Sequence, residues 1–529
     1  MTKKALLPYF LLVLAWTAWR IFVLSHTGLP QPSIHDEFGY LLGGDTLAHG
    51  RLANPPHALA EFFESPHELV RPMYAMKYPP ALSMFLALGQ VIFGAPFYGV
   101  LLSNVFMLSA FCLMLWAWVP LRAGMIAATF FALILSPTMY WTDSYYGGSV
   151  TAGAAAVILL AVGLYRQRPT LLAGALFAAG ALLLFLTRPY EGGVFTLAVI
   201  AVFAGEIWRC RRRAAFAVAL VVLAAGAAWT CCYNKAVTGK PFLLPYMEHQ
   251  RQYDVAPVLW FLPLAPQPDY HQPRLAALHG NNGWEVARYR DANKWPWWQR
   301  PIVAALKMLW TLSLGLLLAL TVTFLVPIAW SDPVFRKMAV IACVFLAALS
   351  LETFVSAHYT AAGWPAAALL IALWTEHAWR RKIFKSSLGV LLGAMLLLSF
   401  GAIAFRSARA QYALIRNGRA LSYRDQWPYR RAAMMRSLSA LDRPQLVIVR
   451  YPSLDWDEGQ EWVYNGADFD RQRVVFAHDF GAEKDRALLN YYPDRTALLL
   501  TFDAVSGEDK LEPYPQDAAA GSGPQPQSK

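Results

Sequence analysis

The chain has 529 residues, 57% of them hydrophobic and only 15% charged, with a net charge of +12. A soluble domain carries about 25% charged residues, so this composition, with a mean hydropathy of +0.34, excludes an ordinary soluble protein and indicates a polytopic membrane protein. The positive charge does not point to nucleic acid, because the basic residues fall in short runs between apolar segments, as topology signals do.

A membrane helix needs about 20 mostly apolar residues. Spans are predicted near 5–24, 97–119, 123–141, 148–165, 170–187, 192–208, 214–233, 303–330, 338–357, 360–379 and 386–405, about 11 in all. Residues 1–24 run straight into the first span without a convincing small-residue cleavage site, so no cleavable leader is expected. With the N-terminus inside, the inner connections hold 15 Lys and Arg, whereas the short outer turns hold one, Arg188. That bias predicts a cytoplasmic N-terminus and places 25–96, 234–302 and 406–529 outside. The five cysteines lie in or beside apolar segments with no zinc-like spacing.

The first outer segment, 25–96, contains an amphipathic stretch at 38–49, ended by Gly50, and a 13-residue apolar run at 81–93, too short to span. Both suit helices on the membrane surface. The second, 234–302, is rich in Pro and aromatic residues and reads as an ordered loop ending in the aromatic belt "KWPWWQR". From Arg406 the composition turns soluble, with 17 basic and 17 acidic residues. Strands are expected at 446–451, 474–479 and 496–502 and helices at 428–441 and 483–491, making a small α/β domain over 406–512. A disordered Gly/Pro/Ser/Gln tail, 513–529, is expected to follow.

The motif that calls for chemistry is "SIHDEF", where Asp36 and Glu37 stand just beyond the first span. In its plain reading Ser33 caps a surface helix and Asp36 returns the bond as a capping box. Its position tells against that reading alone. The acids lie at headgroup depth, and the same segment holds "MKYPP", in which Lys77 precedes two prolines that fix the backbone. A lysine is a compact charge for phosphate. Arg20, Asp143, Arg188 with Glu191, and His358 are expected at the same level, although Arg20 alone reads as a snorkelling group and His358 as a packed interfacial histidine. An acid and cations in one polar pocket are what glycosyl transfer from a lipid-phosphate donor requires. His35, Tyr78 and Tyr359 complete the expected pocket. No cofactor is expected. A divalent metal is allowed for by His35, Asp36 and Glu37, but three consecutive residues seldom point at one ion.

The stretches "HDEFGYLLGGDTLAHGRL" (35–52) and "KYPPALSMFLALGQVIFGAPFYGVLLS" (77–103) resemble the integral-membrane GT-C glycosyltransferases. The likeness is to the group of protein O-mannosyltransferases, lipid A aminoarabinose transferases and Rgt-like members. "LTRPYEG", "AVTGKPFLLPY" and "SAHYTAAGWPAAAL" resemble the family more loosely. The resemblance covers the first hundred residues and, in topology, the 1–405 unit, but hardly the C-terminal domain. It implies a GT-C-like fold with Asp36 as catalytic base, Glu37 as supporting acid and Lys77 on the donor phosphate. Where the aminoarabinose transferase has an arginine after its acid pair, this chain has Phe38, Gly39 and Tyr40, so Arg188 is the candidate second cation. The implied activity is inverting transfer of a hexosyl- or pentosyl-type monosaccharide from a polyprenyl-phosphate donor to an acceptor hydroxyl on a glycan, lipid or protein. The implied setting is the periplasmic face of a bacterial inner membrane, among membrane lipids and without nucleic acid. The competing class is a multi-pass transporter of a cell-envelope precursor, against which stands the scarcity of charges inside the spans. A third reading is an assembly protein whose C-terminal domain binds a partner.

Overall fold

The computed structural model describes residues 6–135, 139–209, 212–296, 298–300, 303, 329–382, 385–418, 423–452, 460–503, 506 and 508–515. It is largely helical. Helix α1 (Leu7–Thr27) leads into the loop helices α2 (His35–Ala48) and α3 (Ala81–Phe93). The bundle continues with α4 (Phe97–Trp118), α5 (Leu121–Ile134), the short α6 (Tyr140–Asp143), α7 (Ser149–Gln167), α8 (Leu171–Phe185), α9 (Pro189–Arg209) and α10 (Arg213–Thr238). A second loop carries α11 (Pro245–Gln252), α12 (Pro273–His279) and α13 (Trp284–Lys294). After it come α14 (Pro333–Leu349), α15 (Trp364–Arg380) and α16 (Ser387–Asn417). Among the described residues, α1, α4, α7, α9 and α10 are long and apolar enough to cross a membrane. The span expected at 303–330 lies outside the described residues, apart from Val303 and 329–330, as does the tail expected over 513–529, apart from 513–515, where Pro513 is the last residue of a strand.

Most expected spans coincide with helices to within a few residues. Three differ. The span expected over 338–357 is α14, shifted to Pro333–Leu349 and so ending eight residues early. The helix expected over 123–141 stops at Ile134, just ahead of "SPT", where Pro137 supplies no N–H and disfavours helix in the residue before it. Helix α16 runs to Asn417, well past the boundary read at 405 from composition, because its added turns are polar without being helix-breaking.

Helices α4, α7 and α8 pack closely. Ala152, Ala154, Ala155 and Ala156 are fully buried along α7, the small-residue interface that lets helices approach where lipid offers no hydrophobic drive between them. Helix α3 follows Pro79-Pro80 and ends at Gly94, whose φ of +77° makes the left-handed C-cap. It turns Leu88, Val91, Ile92 and Phe93 outward and lays its other face on α2 and α4. The α3–α4 crossing is backbone on backbone. A Cβ at Gly99 would overlap the carbonyl of Phe85, and one at Gly89 would overlap Gly99 N. Overpacking costs about 1–3 kcal/mol where nothing flexible can move aside. Gly99→Ala is therefore expected to lower thermal stability in detergent by that order, whereas Gly193→Ala, with open space at its Cβ, leaves it unchanged.

The C-terminal part forms a four-stranded sheet in the order β4-β3-β5-β6, where β1 (Glu68–Leu69) and β2 (Ala75–Met76) are a small hairpin in the first loop. The strands are β3 (Gln445–Arg450), β4 (Val474–His478), β5 (Thr496–Phe502) and β6 (Asp509–Pro513). The pairs β3–β4 and β3–β5 are parallel and β5–β6 antiparallel. Helices α17 (Tyr423–Ser439) and α18 (Ala482–Tyr491) accompany it. Strand β6, rich in charge and Pro, carries no apolar pattern by which to anticipate it. Parallel strands are buried on both faces, and the period of two decides what covers each. Leu446 and Ile448 join Phe62, Phe63 and Leu42 of the first loop, whereas Val447 and Val449 join Trp427, Trp462 and Phe38. The first loop and the C-terminal sheet thus share both of these cores.

Candidate active site

Ile34 is the N-cap of α2, so the third helical residue is Glu37, and its carboxylate performs the capping role read for Asp36. Glu37 accepts from Ser33 N at 2.6 Å, Ser33 Oγ at 3.0 Å and Ile34 N at 3.2 Å, and from Tyr145 N at 2.9 Å. Burial raises its pKa, and these donors oppose the rise. Neighbours on a helix diverge by about 100°. Glu37 therefore points into the protein, and Asp36 points into a cavity of about 230 Å³.

Asp36 Oδ1 accepts a 2.7 Å hydrogen bond from Tyr78 Oη, and Oδ2 lies 4.0 Å from His67 Nε2. Lys77 lines the same cavity. Its side chain is 4% exposed, and Nζ stands over the rings of Tyr246 and Tyr78 at 5.2 and 5.6 Å. Among the described residues it makes no ion pair. Burying an ammonium without a direct counter-ion is costly, so the arrangement suits a cation held ready for an anionic ligand. Arg188 also faces this cavity, with its guanidinium 4.0 Å from the Tyr359 ring centroid and Nη1 3.5 Å from Glu191 Oε1. The backbone bond from Ala81 N to Leu186 O, 3.0 Å, ties the Lys77 segment to the Arg188 turn.

A second cleft of about 320 Å³, mostly apolar, lies alongside. Lys77, Tyr78, Arg188, Tyr246, Val258 and Tyr359 line both spaces. Two cations and three phenols thus stand where a polar chamber adjoins an apolar one.

Of the other residues expected here, His35, His358 and Tyr359 line the polar cavity, Tyr78 lines both spaces and Glu191 lines the apolar cleft. Asp143 lines neither and instead accepts from Arg20 Nη2 at 2.7 Å. His358 packs among Tyr146 and Tyr359 at ring distances of 5.4 and 4.8 Å. His67, Tyr246, Asp254, Trp284 and Glu285 also face the cavity, and the sequence reading does not include them. They come from loops with no periodic pattern, and their spacing matches no motif. His35, Asp36 and Glu37 do not gather on one ion. Among the described residues, the His/Asp cluster whose donor atoms lie close enough together to hold an ion is instead His249, Asp254 and His279 in the second loop.

Burial pushes the His35 imidazole down to about 3, and burial beside Lys77 drives His67 well below its ordinary value. His35 Nδ1 pairs with Tyr464 Oη at 2.7 Å, joining α2 to the C-terminal part. A histidine held neutral in the fold takes a proton more readily when unfolded, so its contribution is complete above about pH 6.5 and is lost progressively as pH falls toward 3. Thermal stability is expected to drop between pH 7 and pH 5, and His35→Gln is expected to flatten that dependence.

No protein-family model and no curated protein sequence matches the chain. Solved structures do. The crystal structure of ArnT from Cupriavidus metallidurans in the apo state aligns over 93% of this chain and 92% of its own, with a TM-score of 0.50 at 13% identity. The two chains share an overall fold. ArnT bound to undecaprenyl phosphate aligns with a TM-score of 0.49 at 14% identity, over 95% of this chain and 94% of that one. The archaeal oligosaccharyltransferase AglB from Archaeoglobus fulgidus, in complex with an inhibitory peptide and a dolichol-phosphate, aligns with a TM-score of 0.45 at 11% identity, over 93% and 69%. At 13% identity the likeness to the apo structure is one of fold alone.

Proposed function

We propose that this protein transfers a monosaccharide from a polyprenyl-phosphate donor to an acceptor hydroxyl, with inversion, at the periplasmic face of a bacterial inner membrane. The observation that carries the reading is the common wall between the polar cavity of Asp36 and the apolar cleft, with Lys77 and Arg188 set in it. A lipid-linked sugar has that division: an apolar chain, a phosphate and a polar head. The GT-C-like fold and the resemblance over 35–52 and 77–103 support the same conclusion.

In this reading the isoprenoid lies in the cleft, its phosphate between Lys77 and Arg188, and the sugar beside Asp36. Asp36 accepts the proton of the acceptor hydroxyl as that oxygen attacks the anomeric carbon, and the bond from that carbon to the phosphate oxygen breaks. Lys77 and Arg188 stabilise the departing phosphate. The phosphate leaves as an anion, so no separate general acid is required. Tyr78 fixes the carboxylate through Oδ1, and Glu37, turned away, positions the first turn of α2.

The deciding measurement is mass spectrometry of cell-envelope lipids and glycans with and without the protein, followed by transfer in proteoliposomes with the donor so identified. Loss of one sugar increment, restored by purified protein and donor, is expected. Solute flux without lipid-linked sugar, and no transfer with it, would make the protein a transporter.

A further inference from the structure

The other end of the bundle holds a space larger than either chamber of the candidate site. Helix α10 follows α9 after a three-residue connection, yet it packs against α8. That contact is close. A Cβ at Gly174 would overlap the carbonyl of Ala215, and one at Gly226 would overlap the Leu182 side chain. Seated there, α10 leaves a groove of about 680 Å³ between itself and α9, floored by α7 and α8. Ile200, Phe203 and Ile207 line one wall and Phe216, Leu220 and Leu223 the other, each set at helical spacing.

The rim of this groove is charged. Arg166, in the last turn of α7, pairs with Glu206 at 2.5 Å, and Lys337 pairs with the same carboxylate. Arg212, the N-cap of α10, donates from Nη1 to Pro169 O at 2.8 Å, and among the described residues it makes no ion pair. Arg213 is exposed, and its side chain makes neither an ion pair nor a hydrogen bond among the described residues. Four cations thus stand against one carboxylate. Helix α7 starts three residues after Tyr146, which lines the polar cavity, and rises about 25 Å to Arg166. A bilayer core is about 30 Å thick, so the rim lies at the membrane surface opposite the candidate site. The Lys and Arg bias assigns that surface to the inner connections, and the inner leaflet carries the anionic lipids that basic clusters attract.

We propose that this groove binds one anionic phospholipid, its acyl chains between the apolar stripes of α9 and α10 and its phosphate on Arg212 and Arg213. The walls alone would accept any acyl chain. The rim adds the selection: guanidinium groups pair with phosphate, and the surplus of cations disfavours the ammonium of a zwitterionic head. Ile200, Phe216 and Leu220, all exposed, are the side chains that the lipid covers. It completes the packing that the seat of α10 on α8 leaves open.

The test reads bound lipid rather than turnover, so it is decided whether or not sugar transfer is found. The full chain, purified in detergent and delipidated, is given phosphatidylglycerol or phosphatidylcholine with the same acyl chains. Native mass spectrometry and melting temperature follow each. One phosphatidylglycerol retained per chain, with a higher melting temperature than phosphatidylcholine gives, is expected. Arg213→Gln is expected to weaken retention about five-fold, the ~1 kcal/mol of one basic residue against an anionic lipid. Ala219→Trp, checked as monodisperse, fills the groove and is expected to abolish retention. Arg381→Gln, the same charge change at the C-cap of α15, is expected to keep it. Equal retention of the two lipids, or wild-type retention in Arg213→Gln, would mean that any lipid fills the groove and would overturn the proposal. So would a dimer that Ala219→Trp converts to monomer, which would make the groove an interface between copies of the chain.

Discussion

Asp36→Asn is expected to lower the rate of transfer by about 10²–10⁴-fold, the usual contribution of a positioned general base. The amide oxygen can still accept from Tyr78 Oη, so the shape of the first turn and the melting temperature are retained. Donor affinity should change little, because the carboxylate acts on the acceptor rather than on the phosphate. Single-turnover kinetics with saturating donor check this directly. A variant that turns over at the wild-type rate removes Asp36 from the chemistry. Glu37→Gln separates the two acids. It weakens four hydrogen bonds inside the protein and should act mainly on stability.

Lys77 gives the opposite signature. Lys77→Met removes a buried cation that has no ion-pair partner among the described residues, so stability should be retained or rise. Function should fall in both binding and rate, because the phosphate loses its charge partner in the donor complex and again as it departs. Truncating one side of a buried charge pair costs about 2–5 kcal/mol, or roughly 30- to several-thousand-fold in donor affinity. Melting temperature and donor affinity measured on one preparation decide the matter. A joint fall in both would mean that Lys77 is there for the fold. A gain in stability with loss of activity is the pattern of a group kept for function at a cost in folding.

Much of this arrangement can be read along the chain, and the part that cannot has physical reasons. The loop helix over 81–93 is fixed by Pro79-Pro80 before it, an unbroken apolar run within it and Gly94 after it, and its observed bounds are the same. The parallel strands are visible because both their faces are buried. Capping shows how small an offset matters. Starting α2 one residue later than the Ser33-x-x-Asp36 pattern implies moves the capping acid to Glu37 and frees Asp36 for the cavity. Lys77 and Asp36 were legible because each stands in a local pattern of its own. His67, Tyr246, Asp254 and Glu285 reach the cavity only through tertiary packing, from loops whose order is set by Pro and Gly rather than by any repeat. Arg20 and Asp143 show the reverse: they pair with one another, and neither lines the cavity.

The cores shared by the first loop and the C-terminal sheet bear on how the protein matures. Phe38, two residues from Asp36, stacks on Tyr464 with ring centroids 4.1 Å apart and planes within 2°. The first loop leaves the ribosome hundreds of residues before Tyr464 is made, so α2 must wait, half-covered, until translation is nearly complete. A stalled or prematurely terminated chain would enter the membrane with its acid in place but unsupported. The core around Phe38 is therefore complete only once the C-terminal strands have been made.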